Sequence, residues 1–261
     1  MQSRLIQSAD GTRVRVVDFG GTGAPVLLVH GLAEHIGRYG HVAKALVDRG
    51  FHVSMVELRG HGESEGKRGH VNRWDEYVAD LNAAYNACET PMIVAHSMGG
   101  LVTLDALRAG LRPPRVLLSN PLLGVRVKAP RIKVLAGRLL SRILPSVSLT
   151  NEVPSSGLSH DPAVARAYDA DPMIFHTITP RWFTEMEAAT VRVLAVRPAV
   201  PVAMLYSDAD PITDTERAAE WAAEHGVISR DHPGMLHEIF NEVGKEAVLT
   251  EVADWLERGE F

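Results

Sequence analysis

Residues 91–101, Pro-Met-Ile-Val-Ala-His-Ser-Met-Gly-Gly-Leu, contain the pattern that decides the fold. Met92 to Ala95 is a short apolar run, and a turn of small residues separates it from an apolar pattern with helical spacing. Strand, sharp turn and helix in this order are the context of a nucleophile elbow, in which a strained turn holds a serine hydroxyl above a sheet. The motif is Ala-x-Ser-x-Gly, because Ala95 replaces the usual first glycine and Gly99 keeps the second. Ser97 is therefore a candidate nucleophile, and the alternative is an ordinary serine in a loop.

Strands and helices alternate on both sides of this stretch. Further strands are predicted near residues 12–19, 25–29, 51–56, 116–119, 201–206 and 227–230, and helices near 39–49, 73–88, 214–224 and 245–257. The first strand alternates polar and apolar residues and is expected to be antiparallel. Continuous apolar runs such as 25–29 are typical of strands that are buried on both faces of a parallel sheet. We therefore expect an α/β fold with a mostly parallel central sheet and helices on both faces.

Residues 121–180 interrupt this alternation. The segment is rich in proline and has no clear strand, yet it lies between two predicted core strands. We expect a helical cap, or lid, over the carboxyl edge of the sheet, where the active sites of such sheets lie. The predicted domains are therefore a core of residues 1–120 and 181–261 and a cap of residues 121–180.

The first half of the predicted cap, residues 121–151, is basic and amphipathic. It contains no acidic residue and six basic ones: Arg126, Lys128, Arg131, Lys133, Arg138 and Arg142. Apolar residues follow helical spacing from Ile132 to Leu144. Such a helix either packs its apolar face on the core or lies on an anionic lipid surface, and the sequence leaves both interpretations open.

Composition limits the class of protein. The chain has 261 residues, is 46 % hydrophobic and carries a net charge of −5, which gives no reason to expect a nucleic-acid partner. Its single cysteine, Cys88, cannot form an internal disulfide. We find neither an apolar leader nor 18 consecutive apolar residues. We expect a cytoplasmic protein, with peripheral membrane contact through the cap left open.

A serine nucleophile needs a histidine base, and in a sheet of this order the acid and then the histidine follow the serine. Five histidines follow Ser97: His160, His176, His225, His232 and His237. The first two lie in the predicted cap, and the third closes a predicted helix. We favour His237, because a glycine turn precedes it and the apolar Ile239 and Phe240 can anchor its loop. His232 is expected to end the last strand.

The acid is expected in the loop after the strand at 201–206. Asp208, Asp210 and Asp214 are the candidates. Asp214 resembles a helix N-cap and Asp208 could bond to its own turn, whereas Asp210 lies farther along the loop. No histidine or third carboxylate of matching spacing joins these aspartates, so we do not expect a metal site here.

Backbone N–H groups should stabilise the oxyanion of an acyl-transfer reaction. One is expected at Met98, immediately after the nucleophile, where a helix also begins. The second is assigned to Leu32, because Gly31 allows the backbone of His30-Gly31-Leu32 to bend toward the site. By itself, His30-Gly31 would be read as a tight turn that ends a strand.

Five motifs together resemble the α/β-hydrolases, and within them the monoacylglycerol lipase and lysophospholipase group. In chain order they are His30-Gly-Leu-Ala-Glu-His-Ile-Gly-Arg-Tyr, Arg59-Gly-His-Gly-Glu-Ser-Glu-Gly-Lys-Arg, Ala95-His-Ser-Met-Gly-Gly, Ser207-Asp-Ala-Asp-Pro-Ile and Gly234-Met-Leu-His-Glu-Ile-Phe-Asn-Glu. The resemblance covers residues 25–258 and is weakest in the predicted cap. Departures at Ala95, Glu57 and Tyr206-Ser207 remove no catalytic group.

The resemblance implies a serine ester hydrolase with the triad Ser97, Asp210 and His237. It places the catalytic acid at Asp210 and implies a monoacylglycerol or another single-chain lipid ester as substrate, with no cofactor. A short-chain carboxylesterase and a lysophospholipase are the nearest alternatives. A non-catalytic α/β-hydrolase used as a receptor is a further one, although such proteins usually lose a triad residue, and this chain keeps all three candidates.

Overall fold

The computed structural model describes residues 1–126, 131–151 and 153–260. In chain order the strands are β1 (Gln2–Gln7), β2 (Arg13–Gly20), β3 (Pro25–Val29), β4 (His52–Glu57), β5 (Met92–His96), β6 (Val116–Ser119), β7 (Leu149–Thr150), β8 (Thr177–Ile178), β9 (Val202–Tyr206) and β10 (Ile228–Asp231). The α-helices are α1 (Gly40–Asp48), α2 (Asp75–Ala87), α3 (Met98–Arg108), α4 (Arg131–Ile143), α5 (Pro162–Ala170), α6 (Pro180–Leu194), α7 (Thr215–His225) and α8 (Lys245–Arg258).

Eight of the strands form one sheet in the order β1-β2-β4-β3-β5-β6-β9-β10. The pairs from β4 to β10 are parallel, whereas β2 is antiparallel to both of its neighbours. The mostly parallel sheet is therefore confirmed, with β2 as the antiparallel strand expected from its alternating sequence. Strand β1 was not predicted, because its residues are mostly exposed and it is held by backbone pairing to β2 rather than by an apolar face.

Each face of the sheet buries a separate apolar cluster. In β3, Leu27 and Val29 point to the cluster under α2, α3 and α6, whereas Val26 and Leu28 point to the cluster under α1 and α8. All four side chains are at most 1 % exposed. Because successive side chains of a strand alternate between faces, a continuous apolar run is what a strand covered by helices on both sides requires.

The segment between β6 and β9 contains more regular structure than the sequence predicts. Besides helices, it contains β7 and β8, a two-residue antiparallel pair that is too short to leave a periodic pattern. Helix α6 was also missed, although it begins with a recognisable signal: Thr179 is its N-cap and accepts from Trp182 N at 3.2 Å, and Pro180 is its first residue. Trp182 and Met186 then pack into the core. Lys128 and the side chains of Arg131 and Lys133 lie outside the described residues.

Among the described residues, no helix combines the length and the apolar character needed to cross a bilayer.

Candidate active site

Ser97 lies in a sharp turn between β5 and α3, at the carboxyl edge of the sheet. Its backbone has φ 51° and ψ −117°, a conformation that residues other than glycine rarely adopt. The helix crosses so close behind the turn that a Cβ on Gly99 would lie 2.5 Å from the carbonyl oxygen of His30. Ala95, in the position of the usual first glycine, is fully buried and pairs with Val29 of β3. The methyl group of Ala95 is therefore accommodated in β5, whereas a methyl group at residue 99 would clash with the His30 carbonyl.

Two loops bring a histidine and an aspartate to this serine. The Ser97 hydroxyl lies 3.0 Å from Nε2 of His237, and Nδ1 of His237 lies 2.7 Å from Oδ2 of Asp210. Asp210 is fully buried, and His237 and Ser97 are at most 6 % exposed. Oδ2 of Asp210 also accepts from the hydroxyl of Thr213 at 2.6 Å, which fixes the carboxylate orientation. With Nδ1 of His237 as donor to Asp210, Nε2 is left to accept the serine proton.

The charges in this site favour a protonated histidine beside an ionised aspartate. Burial would by itself lower the pKa of His237, but the charge and hydrogen bond of Asp210 raise this pKa above its usual 6.5. Burial would likewise raise the pKa of Asp210, but His237 and the hydrogen bonds from Thr213 and Ile212 bring this pKa below 3.8. The imidazolium that forms when a serine loses its proton is therefore stabilised where it forms.

The structure separates the other candidates from Ser97. His232 faces Glu251 of α8, with Nε2 3.2 Å from Oε2. Asp208 is exposed, and its Oδ1 accepts from the N–H of Gly234 at 3.0 Å. Asp214 is the N-cap of α7, as its sequence position predicted. The geometry thus groups His237 and Asp210, and not His232 or Asp208, with the serine.

The oxyanion loop, residues 30–33, lies against the elbow. A Cβ on Gly31 would lie 3.2 Å from Cβ of Ser97, and the N–H of Gly31 is already bonded to Oε1 of Glu34 at 2.6 Å. Within the parts of the chain that the structure describes, we find no acceptor for the N–H of Leu32 or of Met98. As the first residue of α3, Met98 has no partner for its N–H within the helix. Both amides are therefore available to an oxyanion.

A buried polar network, which was not predicted from the sequence, joins the oxyanion loop to the histidine loop, residues 232–244 between β10 and α8. Glu34 accepts from Gly31, from Tyr39 at 2.6 Å and from Arg38 at 3.0 Å. Arg38 also makes a bidentate ion pair with Glu238, at 2.5 and 2.7 Å. Burial would raise the pKa of Glu34, yet Arg38 and other nearby charges lower it to about 2. The motifs contain these residues, but they give no sign that the two loops pair.

The segment between β6 and β9 contacts both loops beside Ser97. The N–H of His237 donates to Gly157 O at 3.2 Å, and that of Glu238 donates to Leu158 O at 2.8 Å. On the other side, the N–H of Phe175 donates to Ala33 O at 3.3 Å. These backbone contacts attach the segment to the loops on both sides of Ser97.

A mostly parallel sheet covered by helices, with a serine in a sharp strand-to-helix turn at its carboxyl edge, is the arrangement of the α/β-hydrolase fold. A family model described as serine aminopeptidase, S33, matches residues 21–244, and the chain belongs to this family.

Curated relatives and solved structures agree with this assignment. The chain is 32 % identical to a monoacylglycerol lipase of Mycolicibacterium smegmatis over 88 % of its own length and 87 % of that protein. It is 31 % identical to the phospholipase YtpA of Bacillus subtilis over 87 % of its own length and 92 % of that protein. The crystal structure of a Paleococcus ferrophilus monoacylglycerol lipase, 31 % identical, superimposes with a TM-score of 0.86 over 93 % of this chain and 98 % of that one.

Proposed function

We propose that this protein hydrolyses monoacylglycerols or similar single-chain lipid esters through an acyl-enzyme on Ser97. The observation that carries the proposal is the hydrogen-bonded series Ser97–His237–Asp210, buried in a chain that is similar to monoacylglycerol lipases from two organisms. The lipid specificity is inferred from these relatives, and the chemistry is inferred from the site.

In this mechanism the Ser97 oxygen attacks the ester carbonyl while its proton passes to Nε2 of His237. The N–H groups of Leu32 and Met98 donate to the oxyanion. The carbonyl–alkoxide bond then breaks, and Nε2 returns the proton to the leaving alcohol. Water attacks the acyl group with the same histidine as base, which releases the fatty acid and restores the serine. Asp210 stays ionised and stabilises the imidazolium.

We further propose that residues 121–180 act as a cap over a core formed by residues 1–120 and 181–261, and that the acyl chain is bound beneath this cap. Leu158 and Phe175, both less than 9 % exposed, lie next to the backbone contacts with the histidine and oxyanion loops. An apolar lining in this position would shield a fatty acyl chain from water.

A substrate series is expected to show a clear acyl-length dependence. Each methylene buried beneath the cap contributes about 0.8 kcal/mol. Because each 1.36 kcal/mol corresponds to a factor of ten in rate, two methylenes should raise kcat/KM by about tenfold until the pocket is full. Monoacylglycerols of increasing chain length would be compared with a lysophospholipid, an aminoacyl anilide and short p-nitrophenyl esters.

The series separates the candidate activities. A flat dependence on chain length would favour a short-chain carboxylesterase. A preference for the lysophospholipid would move the assignment toward the phospholipase relative, and cleavage of the anilide alone would indicate a peptidase. Ser97→Ala, assayed in parallel, measures the background hydrolysis of each substrate.

We also propose that α4 contacts anionic membranes. Leu135, Leu139 and Ile143 follow at intervals of four residues and are 59–69 % exposed, so the helix presents an apolar stripe to solvent. Arg138 and Arg142 lie on the same helix. An exposed apolar stripe with basic neighbours is typical of helices that lie in a lipid interface. The sequence alternative in which α4 buries its apolar face on the core is not favoured by these exposures.

Changing the stripe is expected to reduce vesicle binding without reducing the hydrolysis of a soluble short ester. The double variant Leu135→Ser/Leu139→Ser removes apolar area, and Arg138→Glu/Arg142→Glu removes attraction worth ~1 kcal/mol per basic residue at the surface. Sedimentation with anionic and zwitterionic vesicles measures both effects. Leu5→Ser, at an exposed leucine of β1, is the matched control. Equal binding by all variants, or none by the wild type, would leave α4 as part of a cap only.

A further inference from the structure

We propose that Asn120 is a positioning residue: its side-chain amide holds the loop of Asp210 and the loop of His237 in register with each other. The proposal rests on the proposed function, since it takes these two residues as members of the triad. Asn120 does not touch the reacting atoms, and it acts through the backbones of both loops.

Asn120 follows β6, the strand that lies between the nucleophile strand β5 and the acid strand β9. The residues around it are bonded to the elbow itself. Ser119 O accepts the N–H of Ser97 at 2.9 Å, and the N–H of Leu122 donates to Ser97 O at 3.0 Å. The segment 119–122 is therefore fixed to the nucleophile by its backbone on both sides of Asn120.

The Asn120 side chain then reaches the other two loops. Its Oδ1 accepts the N–H of Ser207 at 3.0 Å, at the start of the loop that leads to Asp210. Its Nδ2 donates to His237 O at 2.7 Å and approaches Leu236 O at 3.5 Å. The side chain is fully buried, so no water competes for these bonds. One four-residue segment thus contacts the backbones of Ser97 and His237 and the start of the loop that leads to Asp210.

The chemistry of this position requires asparagine. The amide supplies an acceptor and a donor from one rigid group, as the N–H of Ser207 and the carbonyl of His237 require. Aspartate has nearly the same shape but no proton to donate when ionised, so an oxygen would face the His237 carbonyl. The backbone of Asn120 has φ 40°, a left-handed conformation that asparagine tolerates better than most residues.

A small displacement of His237 should lower the reaction rate more than substrate binding, because a misplacement of about 1 Å can cost ~10²-fold in rate. Asn120→Ala is expected to reduce kcat by ~30- to 100-fold with KM changed less than about threefold. Asn120→Gly should be equally impaired although it relieves any strain at positive φ. Asn120→Asp should also be impaired although it keeps the shape of the side chain.

The deciding experiment is a double-mutant cycle with His237→Ala, measured on a short activated ester with thermal unfolding of every variant. If Asn120 acts by positioning His237, Asn120→Ala should change the residual rate of His237→Ala less than about threefold, so the two effects are strongly non-additive. Additive losses, or full activity in Asn120→Asp, would overturn the proposal. Thr190→Ala, which removes a buried hydroxyl that donates to Met186 O within α6, is the control for a loss of stability alone.

Failure of the proposed function would look different. Wild-type activity in His237→Ala would remove the triad itself. An inactive His237→Ala together with a fully active Asn120→Ala would leave the triad and remove only the role of Asn120. If Asn120→Ala does not fold, the same double-mutant cycle with His237→Ala is measured with Asn120→Gly and Asn120→Asp, and Thr190→Ala remains the stability control.

Discussion

Replacing Ser97 by alanine is expected to lower kcat by ~10⁶-fold, the loss known for removal of a triad nucleophile. The variant lacks the hydroxyl that forms the acyl-enzyme in the proposed mechanism, whereas the proposed oxyanion donors and the His237–Asp210 pair remain. Thermal stability should change little, because alanine adopts the φ of 51° with the same strain as serine. Hydrolysis of a monoacylglycerol and of a p-nitrophenyl ester would be measured against the wild type.

A fluorophosphonate probe provides the control for this prediction. It should label the wild type at Ser97, as identified by mass spectrometry of the labelled peptide, and should not label Ser97→Ala. Ser97→Gly should be equally inactive but at least as stable as the alanine variant, since glycine is unstrained at this φ. Substantial activity in Ser97→Ala, or labelling of another serine, would end the assignment of the nucleophile.

The sheet was the part of the fold most accessible from the sequence. Its central strands are buried on both faces, so runs such as Pro25–Val29 and Val202–Tyr206 stand out as continuous apolar segments between turn residues. Helix ends could also be predicted where a capping residue is present, as Asp214 is at the start of α7. The strand β1 was missed for the opposite reason: it lies at an edge, exposes most of its side chains and carries no apolar period.

The contacts that hold the candidate site together could not be read from the sequence. Arg38 and Glu238 are 200 positions apart, and Asn120 and His237 are 117 positions apart. No local pattern records such a contact, because it depends on which loops the sheet order brings to one edge. The motifs indicated candidate residues for each role, and the assignment of Ser97, His237 and Asp210 as catalytic residues stays a prediction that the geometry supports.

Replacing Asp210 by asparagine is expected to lower kcat by ~10⁴-fold, as for other triad aspartates. Asparagine keeps the size of the side chain, but its amide can donate to Nδ1 of His237. The histidine could then hold its proton on Nε2, where it can no longer accept from Ser97. The loss should appear in kcat more than in KM, since no contact of the substrate with Asp210 is part of the mechanism. Steady-state kinetics on a short ester measures it.

The pH profile should change in a defined direction. The base must be neutral, so the activity of the wild type should rise with pH as His237 loses its proton. The midpoint of this rise, the acid limb of the pH profile, should lie above pH 6.5, because Asp210 raises the pKa of His237 against the effect of burial. Without the aspartate charge, burial acts to lower the pKa of His237, while the charges of Glu238 and Glu34 still raise it. The limb of Asp210→Asn should therefore move to lower pH while the plateau falls.

Asp208→Asn is the matched control for this prediction, because it makes the same change of carboxylate to amide two residues earlier in the same loop. Asp208 is exposed and bonds the N–H of Gly234 at 3.0 Å, an interaction that an asparagine oxygen can also make. Its variant should keep activity within about threefold of the wild type and the same acid limb. An inactive Asp208→Asn beside an active Asp210→Asn would reverse the assignment. An unshifted limb in Asp210→Asn would mean that the pH dependence comes from a group other than His237.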